Sequence, residues 1–190
     1  MRTYLILHVL IISFAFFLTP TIQASDFDEE IEPYKQAIRI NPDDAQAHFN
    51  LGHAYYNLSM YKESIDAFKQ ATRIDPDFAM AHYNLGVVYD NSGLYKEAIE
   101  AYKQAIRINP DDAAAYFDLG NAYSNLGMHK EAVEACKQAI RINPDDAVAH
   151  YNLGIADFIS NDIDSALEQY KILRSLDSGL ANELFNFIYE

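Results

Sequence analysis

The sequence predicts an all-α protein, a solenoid of stacked helix–turn–helix units. The first observation is a repeat, since KEAIEAYKQAIRINPDDA begins at residue 96 and returns at residue 130 as KEAVEACKQAIRINPDDA. The second is the spacing of the apolar residues in each repeat, which follows one face of an α-helix. The third is the recurrence of glycine and proline at the ends of these apolar segments. A fixed period of 34 residues with these signals indicates stacked two-helix units.

The composition excludes several classes of protein. Among 190 residues, 28 are acidic and 14 are basic, so the formal net charge is −14. An acidic chain is a poor general binder of nucleic acid, because phosphate binding depends on clustered lysine and arginine. It also lacks simple electrostatic attraction to anionic lipid. Half of the residues are hydrophobic, so the chain can bury a core, and the single cysteine, Cys136, excludes an internal disulfide framework.

Residues 1–24 have the features of a secretory signal peptide. Arg2 supplies the basic start, residues 4–18 form a largely apolar run, and Ala24 offers a small residue for cleavage. The run is shorter than the roughly 20 residues that span a bilayer, so cleavage is favoured over an uncleaved signal anchor. We therefore expect an exported protein, periplasmic or secreted, whose mature chain begins at residue 25 and does not insert stably into a membrane.

Each repeat divides into two predicted helices. In residues 79–91 the apolar side chains recur at helical spacing, and they do so again from Ala98 to Ile106. Gly93 and Gly127 stand between the two halves, where a helix ends with positive φ. Prolines end the second helices, because the residue before proline avoids α geometry, and the aspartates that follow can cap the next helix. These residues are Pro76, Pro110 and Pro144, followed by Asp77, Asp111, Asp112, Asp145 and Asp146.

The two ends of the repeat region are irregular. The first unit has lost its first helix, because the signal peptide occupies that place. The last unit departs from the pattern at Asp157, Leu173 and Ser178, so we expect less regular packing there. The predicted organisation is a linker and half-repeat (second helix only) at 25–44, repeats at 45–78, 79–112 and 113–146, a degenerate repeat at 147–180 and a C-terminal capping helix at 181–190.

This pattern resembles the tetratricopeptide repeat. The first helices carry the Leu-Gly pair and the tyrosine of that family, and the second helices carry its small residue, its aromatic residue and its alanine before the final proline. The matching residues are Leu51/Gly52/Tyr55, Leu85/Gly86/Tyr89, Leu119/Gly120/Tyr123 and Leu153/Gly154, with Ser64/Phe68/Ala71, Ala98/Tyr102/Ala105, Ala132/Cys136/Ala139 and Ala166/Tyr170. The resemblance implies a right-handed superhelix whose first helices line a concave groove that binds other proteins.

The expected lining of the groove follows from the phase of the first helices at 100° per residue. It has asparagine at equivalent positions of the first, second and fourth full repeats and Asp118 at that position of the third, beside aromatic residues. Side-chain amides both donate to and accept from peptide units, so this row suits an extended chain. The alternative is that asparagine is simply common there in this repeat. The candidate peptide-binding residues are Phe49, Asn50, His53, Asn57, Tyr83, Asn84, Asn91, Phe117, Asp118, Asn121, Tyr151 and Asn152.

The charge of this lining favours a neutral or basic partner over an acidic C-terminal tail. Tetratricopeptide domains that hold an acidic C-terminal peptide use lysine, arginine and asparagine as a carboxylate clamp, and the lining here has neither lysine nor arginine. A similar asparagine ladder occurs in the repeat domain of O-linked N-acetylglucosamine transferases.

No motif for catalysis, metal binding or cofactor binding stands out. His48, His82 and His150 recur one unit apart, too far for shared coordination of a metal at about 2 Å per bond. We interpret them as packing residues. Cys136 replaces a core aromatic residue and has no neighbouring base in its motif, so we expect a buried, inert thiol. We therefore predict no catalytic residue, no metal and no cofactor.

The predicted function is that of an exported, non-catalytic interaction scaffold that binds an extended peptide or partner protein in the concave groove. One alternative is a subunit that recruits substrate for a catalytic partner. Another is a self-assembling structural protein, in which residues 30–44 of one molecule and 181–190 of the next complete one pseudo-repeat. The residues expected to pack in that contact are Ile31, Tyr34 and Ile38 against Leu184, Phe185 and Ile188.

Overall fold

The computed structural model describes residues 24–190, with side chains described from residue 30 onward. The predicted signal peptide, apart from its last residue, lies outside the described residues. Within the described chain every regular element is an α-helix, and none of these helices is long and apolar enough to cross a membrane. The helices are α1 (Ala24–Ile40), α2 (Ala45–Asn57), α3 (Tyr61–Ile74), α4 (Ala79–Asn91), α5 (Tyr95–Ile108), α6 (Ala113–Asn125), α7 (His129–Ile142), α8 (Ala147–Ile159), α9 (Ile163–Leu176) and α10 (Ser178–Tyr189).

The helices form a linear array of hairpins, which confirms the predicted all-α solenoid. Helices α2 and α3 form the first full unit, and α4/α5, α6/α7 and α8/α9 form the next three. Each helix packs against the next one in the chain, so each unit buries its apolar face on its neighbours. In the described chain, first helices of adjacent units also contact each other, whereas successive second helices do not. The array therefore curves with its first helices on the inner side.

Polar side chains at the start of the first helices hold the preceding loops. Three aspartates each accept a hydrogen bond at 3.0 or 3.1 Å from the backbone N–H three residues later. Three histidines donate from Nε2, at 3.0 or 3.1 Å, to the carbonyl oxygen of the proline six residues earlier. The recurring histidines are thus structural. The residues are Asp44, Asp112 and Asp146, and His48, His82 and His150.

The turn inside each unit contains one residue with positive φ. Gly93 and Gly127 occupy it with φ of 73° and 72°, as predicted. In the first and fourth units the same place is taken by Ser59 and Asn161, with φ of 59° and 65°. Residues with a Cβ are disfavoured in this region, so these two turns are more strained than the glycine turns.

A glycine on the first helix lets the second helix of the same unit approach closely. A Cβ on Gly86 would lie 2.6 Å from the ring of Tyr102, which is 1% exposed. In the third unit the smaller Cys136 faces Gly120 instead of an aromatic ring. Burial raises the pKa of the Cys136 thiol to about 12, so the buried thiol is protonated at neutral pH.

The C-terminal cap departs from its predicted boundary. Helix α10 begins at Ser178 rather than at residue 181, because the loop after α9 lacks the Asn-Pro-Asp-Asp sequence and Asp177 caps α10 directly. Leu184 is fully buried and fills the space beside Gly154 that a second-helix aromatic ring fills in the first two units. The cap therefore closes the array on its own last unit.

This packing uses residues that were expected to join neighbouring molecules. Ile31 is 4% exposed and packs in its own chain with Leu51 and Ala54. Leu184 is 0% exposed, and Phe185 remains 42% exposed. The expectation that lone end helices leave such residues accessible is therefore wrong for Ile31 and Leu184. The physical reason is that each end helix buries its apolar face on the nearest unit of its own chain.

Candidate functional site

The two kinds of helix carry different charges. From residue 24 onward, every lysine and arginine lies on α1 or on one of the second helices α3, α5, α7 and α9. Several of these cations pair with glutamates of the same helix, such as Lys103 with Glu100 at 3.2 Å and Lys171 with Glu168 at 2.9 Å. The first helices α2, α4, α6 and α8 contain neither lysine nor arginine. The inner side of the array therefore presents amides, aromatic rings and carboxylates.

The predicted groove residues all lie on these first helices. All of them are exposed or half-buried except Phe49, which is buried. His53, Asn57 and Asn91 are exposed. Phe49 is only 8% exposed, because its ring is packed against those of Phe68 and Phe78, with centroids 5.6 and 5.0 Å away. Phe49 is thus mainly a core residue, and it also borders a cavity that Asn50, His53 and Asn57 line. The half-buried candidates are Asn50, Tyr83, Asn84, Phe117, Asp118, Asn121, Tyr151 and Asn152.

Hydrogen bonds join the polar side chains of adjacent first helices. Each of three such bonds spans the boundary between two units. They run from Tyr83 Oη to Asp118 Oδ2 at 2.8 Å, from Asn91 Nδ2 to Tyr56 Oη at 3.0 Å and from Asn152 Nδ2 to Asn121 Oδ1 at 2.7 Å. The polar row is therefore held in place along the array, and such preorganisation lowers the entropic cost of binding.

Two further asparagines of the row bond within their own helices. The Asn84 amide donates to the carbonyl oxygen of Met80 at 2.8 Å, and Asn50 accepts from the Gln46 amide at 2.8 Å. Each of these bonds uses only part of an amide, which offers two N–H donors and a carbonyl oxygen with two lone pairs. Both side chains therefore retain the capacity to bond a peptide unit.

Two aspartates near the middle of the inner side have perturbed acidity. Burial raises the pKa of Asp90 above its ordinary value. Burial also raises the pKa of Asp118; the hydrogen bond from Tyr83 opposes that rise, and the charge of Asp90 adds to it. Oδ1 of Asp90 is buried and has no hydrogen-bond partner among the described residues. This part of the groove therefore holds carboxylate oxygens whose bonding is incomplete.

Three residues of this region are not among the sequence candidates. Tyr56 and Asp90 share the helical phase of the candidates, so the same phase can identify them. Tyr102 occupies the core aromatic position of α5, and its ring centroid lies 5.9 Å from that of the groove residue Tyr83, a contact that the helical phase does not predict.

The outer side of the array offers furrows where the second helix of a unit meets the first helix of the same unit. One furrow is lined by residues that include Leu85 and Tyr89, and the equivalent furrow of the next unit includes Leu119 and Tyr123. Lysines cover these tyrosine rings, since Lys69 and Lys103 each place Nζ 5.7 Å from a ring centroid. Neither of these lysines lies over a ring of the predicted groove residues. The inner groove is therefore the better candidate site.

Models of the tetratricopeptide repeat match a large part of the chain. One, described as "TPR repeat", matches residues 22–59 and 91–127. Two described as "Tetratricopeptide repeat" match residues 45–78 and 113–146, and residues 67–100. Together the matches run without a gap from residue 22 to residue 146.

Several solved structures have a similar fold. A crystal structure of MamA is 28% identical with a TM-score of 0.77, and the match covers 83% of this chain and 92% of MamA. MamA 41-end from Desulfovibrio magneticus RS-1 is 25% identical with a TM-score of 0.74, covering 80% of this chain and 86% of that one. YrrB, described as a TPR protein with an unusual peptide-binding site, is 26% identical with a TM-score of 0.75, covering 85% and 84%. No curated protein sequence matches significantly. The repeat-model matches and the array of helical hairpins show that this chain belongs to the tetratricopeptide repeat family.

Proposed function

We propose that the chain is an exported, non-catalytic scaffold that binds an extended peptide, or an extended segment of a partner protein, along the inner groove. The observation that carries the proposal is the row of fixed amides and half-buried aromatic rings on first helices that have no cation. The amides can pair with the backbone of the bound segment, and the rings can cover its apolar side chains. The peptide-binding site described for YrrB, which has the same fold, supports this proposal.

Removing the amide row is expected to weaken binding while leaving the fold nearly intact. The variant combines Asn50→Ala, Asn84→Ala and Asn152→Ala, three half-buried positions outside the apolar core. Each lost neutral hydrogen bond should cost about 0.5–1.5 kcal/mol of binding free energy. The measurement is fluorescence anisotropy of a labelled peptide, selected against the unmodified chain from a library of random extended peptides.

The matched control changes three asparagines that lie away from the groove. Asn41, Asn109 and Asn143 are exposed residues of the loops that follow second helices. Replacing all three with alanine should leave the affinity for the same peptide unchanged. Equal affinities for the groove variant and the unmodified chain, with thermal unfolding showing both folded, would contradict the proposal.

Export is proposed from the apolar run at residues 4–18 and the small residue Ala24. We expect cleavage after Ala24, so that the mature protein begins at Ser25. Mass spectrometry of the N-terminus of protein recovered from cell fractions provides the test. Recovery of a cytosolic chain that retains Met1 would contradict the proposal.

Self-association is a second candidate, and the exposed aromatic residues at the C-terminal end favour it. Phe185 and Tyr189 of α10 are 42% and 62% exposed, and their ring centroids lie 4.6 Å apart. A contact with the other end of a neighbouring molecule would build open chains rather than a closed dimer. Light scattering over a range of concentrations decides it, because a mass that stays monomeric at high concentration rules the candidate out.

A further inference from the structure

We propose that the N-terminal end of the inner groove contains a subsite for one arginine side chain of the bound partner, in a cavity between α1 and α2. This inference rests on the proposed function, because it specifies the side chain that a groove-bound segment presents beside Asn50, the first amide of the row.

The cavity has a volume of about 250 Å³ and is lined by one face of each helix. Glu30 and Tyr34 line it from α1, and they are four residues apart. Asn50, His53 and Asn57 line it from α2, at spacings of three and four residues. Residues three or four apart are neighbours on a helix surface. The two helices therefore present five side chains with polar groups to one common space.

The cavity lies where the regular stacking of first helices stops. Elsewhere in the described chain adjacent first helices contact each other, as α2 does with α4. On its other side α2 packs against α1, which has the place of a second helix, and no first helix precedes α1 among the described residues. The described chain therefore leaves the groove face of α2 uncovered at this end, where a side chain of a bound segment can enter.

The most buried parts of the lining are apolar. Phe49 and Ala54 are 8% and 5% exposed, and the ring centroids of Phe49 and His53 lie 6.3 Å apart. Tyr34 packs on the apolar cluster that contains Ile31, so its position is held by the core. A cavity of about 150 Å³ accommodates benzene, so this larger one has room for a long side chain with a flat end group.

The polar part of the lining accepts hydrogen bonds and carries negative charge. Glu30 is exposed and forms no ion pair within the described chain, whereas Glu32 pairs with Arg39 at 2.8 Å. The Asn50 oxygen accepts from the Gln46 amide at 2.8 Å and has a second lone pair. The described residues that line the cavity include neither lysine nor arginine. The lining is therefore complementary to a cation with several N–H donors.

An arginine side chain meets these requirements. Its guanidinium group has five N–H donors and can bond the Glu30 carboxylate through two of them. Its remaining donors suit the side-chain oxygens of Asn50 and Asn57, and its flat face can stack on the rings of Phe49 and His53. Lysine has a compact, strongly hydrated ammonium group without a flat face. An acidic side chain would be repelled by Glu30.

The lining does not suit a metal ion. Zinc takes about four protein or water ligands, and calcium takes about six to eight. Glu30 and His53 are the only acidic or histidine residues among those that line the cavity. Within the part of the chain that the structure describes, no group of three or more such side chains is placed to hold a metal ion.

Selection from a peptide library separates this inference from the proposed function. Random twelve-residue peptides are selected for binding to the unmodified chain and to its Glu30→Gln variant. An arginine subsite predicts strong enrichment of arginine at one position with the unmodified chain, and loss of that enrichment with the variant. Groove-binding peptides without a preferred arginine would overturn the subsite and leave the proposed function standing. A selection that yields no groove-binding peptide would contradict both.

Affinity measurements with one selected peptide assign the effect to Glu30. We expect Glu30→Gln to weaken binding about 10-fold, the lower end for hydrogen bonds to a charged group, because this carboxylate is exposed in the free chain. Replacing the arginine of the peptide with citrulline, which is neutral and has the same shape, should cause a similar loss with the unmodified chain. It should cause little further loss with the variant. Equal affinities of the arginine peptide and its lysine analogue would overturn the assignment to a guanidinium group.

The control variant removes the same charge at the other end of the array. Glu183→Gln changes an exposed residue of α10 and should keep the affinity within about twofold, as expected for a screened charge at a distance. An equal loss in the control variant would reduce the effect to net charge and overturn the subsite.

Discussion

Replacing Gly86 with alanine should lower the free energy of unfolding by about 1–3 kcal/mol, the usual cost of overpacking a core. The new Cβ would lie 2.6 Å from two atoms of the Tyr102 ring and 3.1 Å from a third. Tyr102 is almost fully buried, so its ring has little room to withdraw without separating α4 from α5. Urea unfolding measures the change.

Gly120 offers a matched control at the equivalent position of the next unit. A Cβ there would meet Cys136 Sγ at 3.0 Å and otherwise only atoms at 3.5 Å or beyond. Alanine also favours the helix over glycine by about 1 kcal/mol, so Gly120→Ala should change stability by less than about 1 kcal/mol. Equal destabilisation by the two substitutions would show that the ring opposite the glycine does not set the cost.

Neutralising Asp157 should stabilise the protein at neutral pH. This carboxyl is 4% exposed, and its Oδ2 has no hydrogen-bond partner among the described residues. Burial raises the pKa of Asp157 to about 6, although the charge of Lys137 opposes the rise. Because the folded pKa exceeds the unfolded value, the ionised carboxylate disfavours folding above pH 6 by on the order of 2–3 kcal/mol. Asp157→Asn should recover most of this free energy at pH 7.5.

The destabilisation by the buried Asp157 carboxylate should decrease as the pH falls. As the pH falls from 7.5 through the folded pKa, Asp157 becomes protonated in the folded chain, so its unfavourable contribution shrinks, and it disappears below the ordinary value of 3.8. The difference in unfolding free energy between Asp157→Asn and the unmodified chain should therefore shrink towards zero. Asp164→Asn, which changes an exposed carboxyl on α9, serves as the control and should show no such trend. A difference that is independent of pH would contradict this account.

The repeat signals predicted the regular part of the fold well. Gly93 and Gly127 lie in the positive-φ turns that they were expected to form, and the second helices end just before the Asn-Pro or Asp-Pro sequences. This success has a local cause, since glycine and proline restrict the backbone whatever the rest of the chain does. The start of the C-terminal capping helix was predicted less accurately. Counting in steps of 34 residues placed it at residue 181, whereas the helix begins at Ser178 because the loop before it is shorter.

Helical phase located the groove but could not assign every side chain in it. Phe49 has the correct phase, yet Phe78 packs on it from the loop before α4, a position that holds aspartate in the other units. Tyr102 shows the opposite case, because it belongs to the core of the second helix α5, yet its ring centroid lies 5.9 Å from that of the groove residue Tyr83. Both assignments depend on contacts with other helices and loops, which a phase within one helix does not contain.

The most direct test of the central claim maps the selected peptide onto the chain by NMR chemical-shift changes. Binding in the inner groove predicts that the largest changes fall on the first helices α4, α6 and α8, at residues such as Asn84, Asp118 and Asn152. Changes centred instead on the outer furrows, around Tyr89 and Glu97 or Tyr123 and Glu131, would place the peptide on the opposite side of the array and contradict the account.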